Sequence, residues 1–102
     1  MIVYSATALR QIDELTAHYI AKRRPEAVRN LLAALKTAEN VIVAGPRHPR
    51  SFPATYRSLA RPGRAWIKQA RYWIAYDLKQ PPVIAAVFWE GADLSRRYPD
   101  IP

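Results

Sequence analysis

A chain of 102 residues, half of them apolar and only three of them glycine, holds one modest core and is not a disordered polymer. It has no cysteine, which excludes a disulfide scaffold and thiolate zinc sites and fits a reducing cytoplasm. A formal net charge of +8 favours a polyanion or an acidic protein segment as partner. The opening Met1-Ile-Val-Tyr4 has neither the basic region nor the long apolar region of a signal peptide. No stretch approaches the ~20 apolar residues of a membrane span, so no membrane partner is expected.

In chain order, Ile2, Val3 and Tyr4 suit a short first strand, and Ser5 suits the N-cap of a helix. Leu9, Ile12, Leu15, Tyr19 and Ile20 recur at helical spacing, with Arg10, Asp13 and Glu14 between them, so a first helix runs to about Lys22. Lys22-Arg23-Arg24 reads as the turn between helices, its charge complementing the helix dipole. Pro25 fits the first position of a second helix, whose apolar stripe is Val28, Leu31, Leu32, Leu35, Ala38 and Val41 or Ile42. Gly45-Pro46 stops it, glycine permitting a left-handed cap. The two helices make an antiparallel hairpin.

Residues 46–64, with four prolines and Gly63, read as loop, with room for a short strand near Tyr56–Leu59. Two strands follow, about Ala65–Ala70 and Tyr72–Ala75. In the first, Trp66, Lys68 and Ala70 alternate with Ile67 and Gln69. In the second, Tyr72, Ile74 and Tyr76 alternate with Trp73 and Ala75. After a turn over Asp77–Pro82, Val83–Trp89 is apolar throughout, as a strand covered on both faces should be. The order β-α-α-loop-β-β-β predicts an α+β domain over residues 1–98 with a short tail, 99–102. Its helical hairpin packs on one face of a small, largely antiparallel sheet.

Charge is unevenly placed. From Asn40 to Tyr76 there is no acidic residue, yet this stretch carries Arg47, Arg50, Arg57, Arg61, Arg64, Lys68 and Arg71. Such a face is either a solvated basic surface or a seat for an acidic partner, and opposite charge would speed association. The three tryptophans carry the same ambiguity. Trp66 and Trp73 read as core or helix-packing residues, or as lining for a groove in which aromatics anchor a partner. Trp89 reads as structural or as a third anchor. Glu90 at a strand end is more often solvent-facing than a general base. His18 and His48 are each isolated, and no metal or cofactor is expected.

This order of elements, with these residues, resembles the RelE/ParE family of bacterial type II toxins. The residues that carry the likeness are the opening strand Ile2–Ser5, the helix with Ile12, Leu15 and Tyr19-Ile20, and Pro25-Glu-Ala-Val28. They continue through Tyr56-Arg-Ser-Leu59 and Arg71–Tyr76 to the strand ending Val87-Phe-Trp-Glu-Gly-Ala-Asp93. The resemblance spans about residues 2–98. It implies a growth-inhibiting toxin, held inactive by a cognate antitoxin with an acidic or amphipathic C-terminal segment that folds on binding. ParE-like members act on DNA gyrase; RelE-like members cut mRNA in the ribosome without a metal. The fold is common to both, so the choice falls to site residues.

Metal-free RNA cleavage needs a base for the 2′-hydroxyl, an acid for the leaving oxygen, and cations for the charged phosphorane. Here Trp73 stands where an arginine often follows the sheet tyrosine, Trp89 stands where some members have histidine, and the arginine expected past the last strand falls near Ala92. Arg64, Lys68 and Tyr98 survive as a partial nuclease set. The ParE branch needs no such set, although the ending Trp89-Glu-Gly-Ala-Asp93 departs from its usual His-Gly-x-Arg type. The expectation is a ParE-like toxin acting by binding. A ribosome-dependent mRNA endonuclease and a basic nucleic-acid-binding module are the alternatives. The binding set is the seven cations of the basic stretch together with Trp66, Trp73 and Trp89.

Overall fold

The computed structural model describes residues 2–45 and 63–92. Its elements are β1 (Val3–Tyr4), α1 (Ala6–Ala21), α2 (Pro25–Ala44), β2 (Arg64–Gln69), β3 (Tyr72–Asp77) and β4 (Val83–Trp89). The strands form one mixed sheet in the order β1-β4-β3-β2. β1 runs parallel to β4, and the other pairings are antiparallel. The α+β class and the β-α-α-β-β-β order are therefore those expected. The short strand near Tyr56–Leu59 and the tail from Asp93 lie outside the described residues.

Local chemistry sets the helix ends. The Ser5 hydroxyl accepts the Ala8 N–H at 3.0 Å, satisfying a donor that the first turn would otherwise leave bare. At the other end of α1, the Arg24 N–H donates to Tyr19 O at 2.9 Å and the Arg23 N–H to Ile20 O at 3.0 Å. These are the paired bonds of a Schellman cap. Arg23 takes the left-handed position, at φ 56°, that glycine would occupy at less cost. Pro25 opens α2 as expected. Gly45 closes it, but at φ −154°, an extended cap rather than the left-handed one.

The sheet has two differently built faces, because alternate residues of a strand point to opposite sides. Towards the helices point Ile67, Ile74, Tyr76, Ile84 and Val87, which pack with Ala8, Tyr19, Leu31, Leu35, Ala38 and Ile42. Away from them, Trp66, Ala75, Ala86 and Phe88 form a second cluster, with Trp73 and Ala92 against it. Ala75 is the cross-strand partner of Trp66, and Ala86 is the partner of Ala75. Their small side chains leave room for the indole to lie across the sheet. It stacks on Phe88 with ring centres 6.3 Å apart and meets Trp73 edge-on at 6.5 Å. Trp66 is thus core, but not helix-packing.

The α2 stripe is buried at Leu31, Leu35, Ala38 and Ile42 as expected, and so is Tyr19 of α1, but other positions differ. Leu9, Ile20 and Leu32 are more than half exposed, whereas Ala8, Gln11, Ala27 and Ala34 are buried. Ile12, Leu15 and Val28 pack at the margin of the core. Small Ala8, Ala27 and Ala34 face the core beside Leu31 and Leu35, while Leu9 and Leu32 face outward. Tyr4 ties β1 to α2, its hydroxyl donating to Glu39 Oε2 at 2.6 Å. Burial, reinforced by that carboxylate, pushes the Tyr4 phenol up.

β1 is only two residues long, so it covers only the start of β4's edge. Side chains of α1 and its cap take over where it stops. The Ser5 N–H donates to Ile84 O at 2.9 Å, the Ser5 hydroxyl to Ala85 O at 3.1 Å, and Gln11 Oε1 accepts the Val87 N–H at 2.8 Å. A β-bulge shifts the β3–β4 register between Ala75 and Tyr76. Gln11→Leu keeps the side-chain bulk but strands the Val87 N–H in a buried site. Urea denaturation should show a loss of about 2 kcal/mol, and a loss under about 0.5 kcal/mol would mean that the amide finds another acceptor.

Candidate functional site

A groove of about 830 Å³ opens at one end of the sheet, where the β2–β3 turn and the end of β4 face the helices. Leu15, Ala27, Ala34 and Val87 give it aliphatic walls. Trp89 stands at its rim, 45% exposed, and pairs across the sheet with Tyr72. The alternation of β4 puts Trp89 on the helix side, opposite to Phe88. Its ring lies over Gly91, where a Cβ would collide with the indole. A glycine at that position therefore lets the tryptophan fold back over the turn.

At the base of the groove the hydroxyls of Tyr19 and Tyr72 meet at 2.6 Å. Both residues are buried and both line the groove. Burial and this hydrogen bond push the Tyr72 phenol up, while the positive charges of Arg24 and Arg71 pull it the other way. Both arginines line the groove, as does His18, whose ring meets Tyr19 edge-on at 5.8 Å. Arg24 also pairs with Glu26 at 3.0 Å in an exposed contact, and that hydrogen bond holds the Glu26 carboxyl below its usual range. Glu14 brings one negative charge to the α1 wall.

The residues singled out from the sequence do not converge on this groove. Arg64 sits at the start of β2 with its Nε 2.7 Å from Asp77 Oδ1 and its Nη2 3.2 Å from Oδ2, in a largely buried fork. It is committed to the frame. Lys68 lies four residues further along the same strand, about 13 Å away. Its ammonium is 3.2 Å from Glu90 and 5.8 Å from the centre of the Trp73 ring. Lys68, Trp66 and Trp73 share the face turned away from the helices. Of the expected set, Arg71 and Trp89 are the members among the described residues that reach the groove. Arg47, Arg50, Arg57, Arg61 and Tyr98 lie outside the described residues.

Sequence reasoning missed Tyr19, Tyr72 and Arg24 as a unit. Both tyrosines read as core positions and Arg24 as part of a turn. What joins them is the Schellman cap, which returns the chain beside Tyr19, and the pairing of Tyr72 at the end of β3. Neither is visible in local spacing.

Among the described residues no cluster of three or more His, Asp or Glu side chains could hold a metal ion. Among the same residues no helix is long and apolar enough to cross a membrane. The fold and groove define a small α+β protein with a four-stranded mixed sheet and an open cleft between sheet end and helical hairpin. The chain matches no protein-family model, and no curated protein matches it.

Proposed function

We propose that this chain is a toxin of the RelE/ParE type, ParE-like in action, working in the bacterial cytoplasm. It arrests growth by binding a target such as DNA gyrase and is neutralised by a cognate antitoxin. The supporting architecture is the β-α-α-β-β-β order, with a helical hairpin on a largely antiparallel sheet, which is the order that the resemblance implies. The observation that favours binding over cleavage is the engagement of the nuclease candidates. Arg64 is forked onto Asp77, and Lys68 is paired with Glu90 some 13 Å along the strand, so the two cations do not close on one phosphate.

Tightly controlled expression in bacteria without the antitoxin tests this reading. DNA, RNA and protein synthesis are pulse-labelled separately over the first minutes. The expected result is an early fall in DNA synthesis, together with loss of gyrase supercoiling when purified protein is added. An early fall in protein synthesis, with mRNA cut in the ribosomal A site, would replace it with the endonuclease reading. Growth that continues unchanged would leave the toxin reading without support.

A further inference from the structure

Where the two tyrosines meet, one phenolic proton is unspent among the described residues. Each phenol carries one proton, and the single Tyr19–Tyr72 bond uses one of the two. Among the described residues, no second acceptor is hydrogen-bonded to either hydroxyl. Among the described residues one O–H is therefore left without an acceptor, on residues only 9% and 5% exposed. The flanking groups add donors and positive charge. Arg24 and Arg71 carry guanidinium groups that only donate, and both line the groove; Arg24 Nε is engaged by Glu26, on an exposed side of the residue. A ligand that completes this corner must bring acceptors and negative charge together.

We propose that the Tyr19–Tyr72 hydroxyl pair, with Arg24 and Arg71, is a carboxylate-anchoring subsite that seats an Asp or Glu side chain of an acidic protein segment lying in the groove. The remaining phenolic proton donates to one carboxylate oxygen, and the guanidinium groups close on the other. Trp89 at the rim supplies an apolar plane for the neighbouring side chain of the same segment.

The rest of the groove selects a peptide over a nucleic acid. A phosphodiester chain carries a charge at every step and is bound by cations along its whole path. Here the lining cations are Arg24 and Arg71, Glu14 stands on the α1 wall, and the other walls mix aliphatic Leu15, Ala27, Ala34 and Val87 with neutral polar Gln11, Asn30, Thr37 and Gln69. That mixture suits one carboxylate followed by aliphatic and neutral polar side chains rather than a charge at every step. The inference deepens the protein-binding reading above, since it names the chemistry of the partner that the groove takes.

The test is selection of a displayed random dodecapeptide library on the full-length chain, with the best peptide then resynthesised and measured by fluorescence anisotropy. The expected winners carry an Asp or Glu flanked by aliphatic residues. Replacing that acid by its amide weakens binding about tenfold, as do Tyr72→Phe and Arg24→Gln in the protein. The amide peptide should lose nothing further on Arg24→Gln, because both changes remove the same contact. Winners without an acidic preference, no winners at all, or an amide effect that persists undiminished in Arg24→Gln would each overturn the subsite. Tight binding of a poly(U) oligonucleotide that the same two variants abolish would also overturn it, by assigning the corner to phosphate. Peptide selection and growth arrest are separate readouts. A chain that selects acidic peptides yet leaves growth untouched keeps the subsite and loses the toxin reading, and the converse result does the reverse.

Discussion

Trp66→Ala should lower the free energy of unfolding by about 4 kcal/mol, the upper part of the range for deleting a buried aromatic. The side chain is 2% exposed and lies across Ala75 and Ala86, whose single methyl groups cannot fill the space it leaves. Its stacking on Phe88 and its edge contact with Trp73 would go with it. A domain of this size commonly has about 5–15 kcal/mol in total, so the variant sits near the limit of folding. Trp89→Ala is the contrasting change. That indole is nearly half exposed, and its removal should cost under about 1 kcal/mol. Parallel urea titrations of the two variants separate a tryptophan that holds the sheet from one that lines the groove. Equal losses in the two would refute the division of the tryptophans between frame and groove.

The second large effect belongs to the Arg64–Asp77 fork. Its side chains are 8% and 18% exposed, so solvent does little to weaken the interaction. Arg64→Ala leaves the Asp77 carboxylate partly buried without its guanidinium, at a cost of about 3 kcal/mol. The pair joins the first residue of β2 to the last of β3, so its loss also frees that end of the sheet to splay. Asp77→Leu alone should be similarly costly, whereas Arg64→Met with Asp77→Leu should recover most of the loss, because no buried charge is then left alone. A double variant as unstable as either single one would mean that the two residues act through other contacts. The same measurement bears on function, since any loss of activity in Arg64→Ala is then first a loss of folded protein.

Much of the fold was legible because its punctuation is local. Ser5, Pro25 and Gly45 mark helix ends by their own side chains or backbone, and Val83–Trp89 was read to the residue. The helix faces were less legible. Burial there depends on which side chains the sheet presents, so alanines and Gln11 went inside while Leu9, Ile20 and Leu32 stayed out. Gln11 was invisible to hydropathy because its task is to replace a strand partner for Val87, 76 positions away. The candidate site was least legible. The cations are close in sequence, but β2 spaces Arg64 and Lys68 about 13 Å apart along one face, and the two-residue turn at Ala70-Arg71 carries Arg71 to the groove instead. The groove is instead assembled from residues whose nearness exists only after the helices dock.

The order of the strands has a consequence for how the chain is made. β4 lies between β1 and β3, and the helix-side core closes on Ile84 and Val87, yet β4 is the last described element to leave the ribosome. Until synthesis has passed Trp89, β1 has no neighbour to pair with, and the apolar stripes of α1 and α2 have only part of a sheet to cover. Local pairing of β2 with β3 can form early, but the contacts between residues 3 and 83 must wait for loop closure over most of the chain. A nascent chain stopped anywhere before that point lacks the centre of its sheet. The groove, whose walls include Val87 and Trp89, would then be completed in one late step, so that no prematurely terminated product carries a working site.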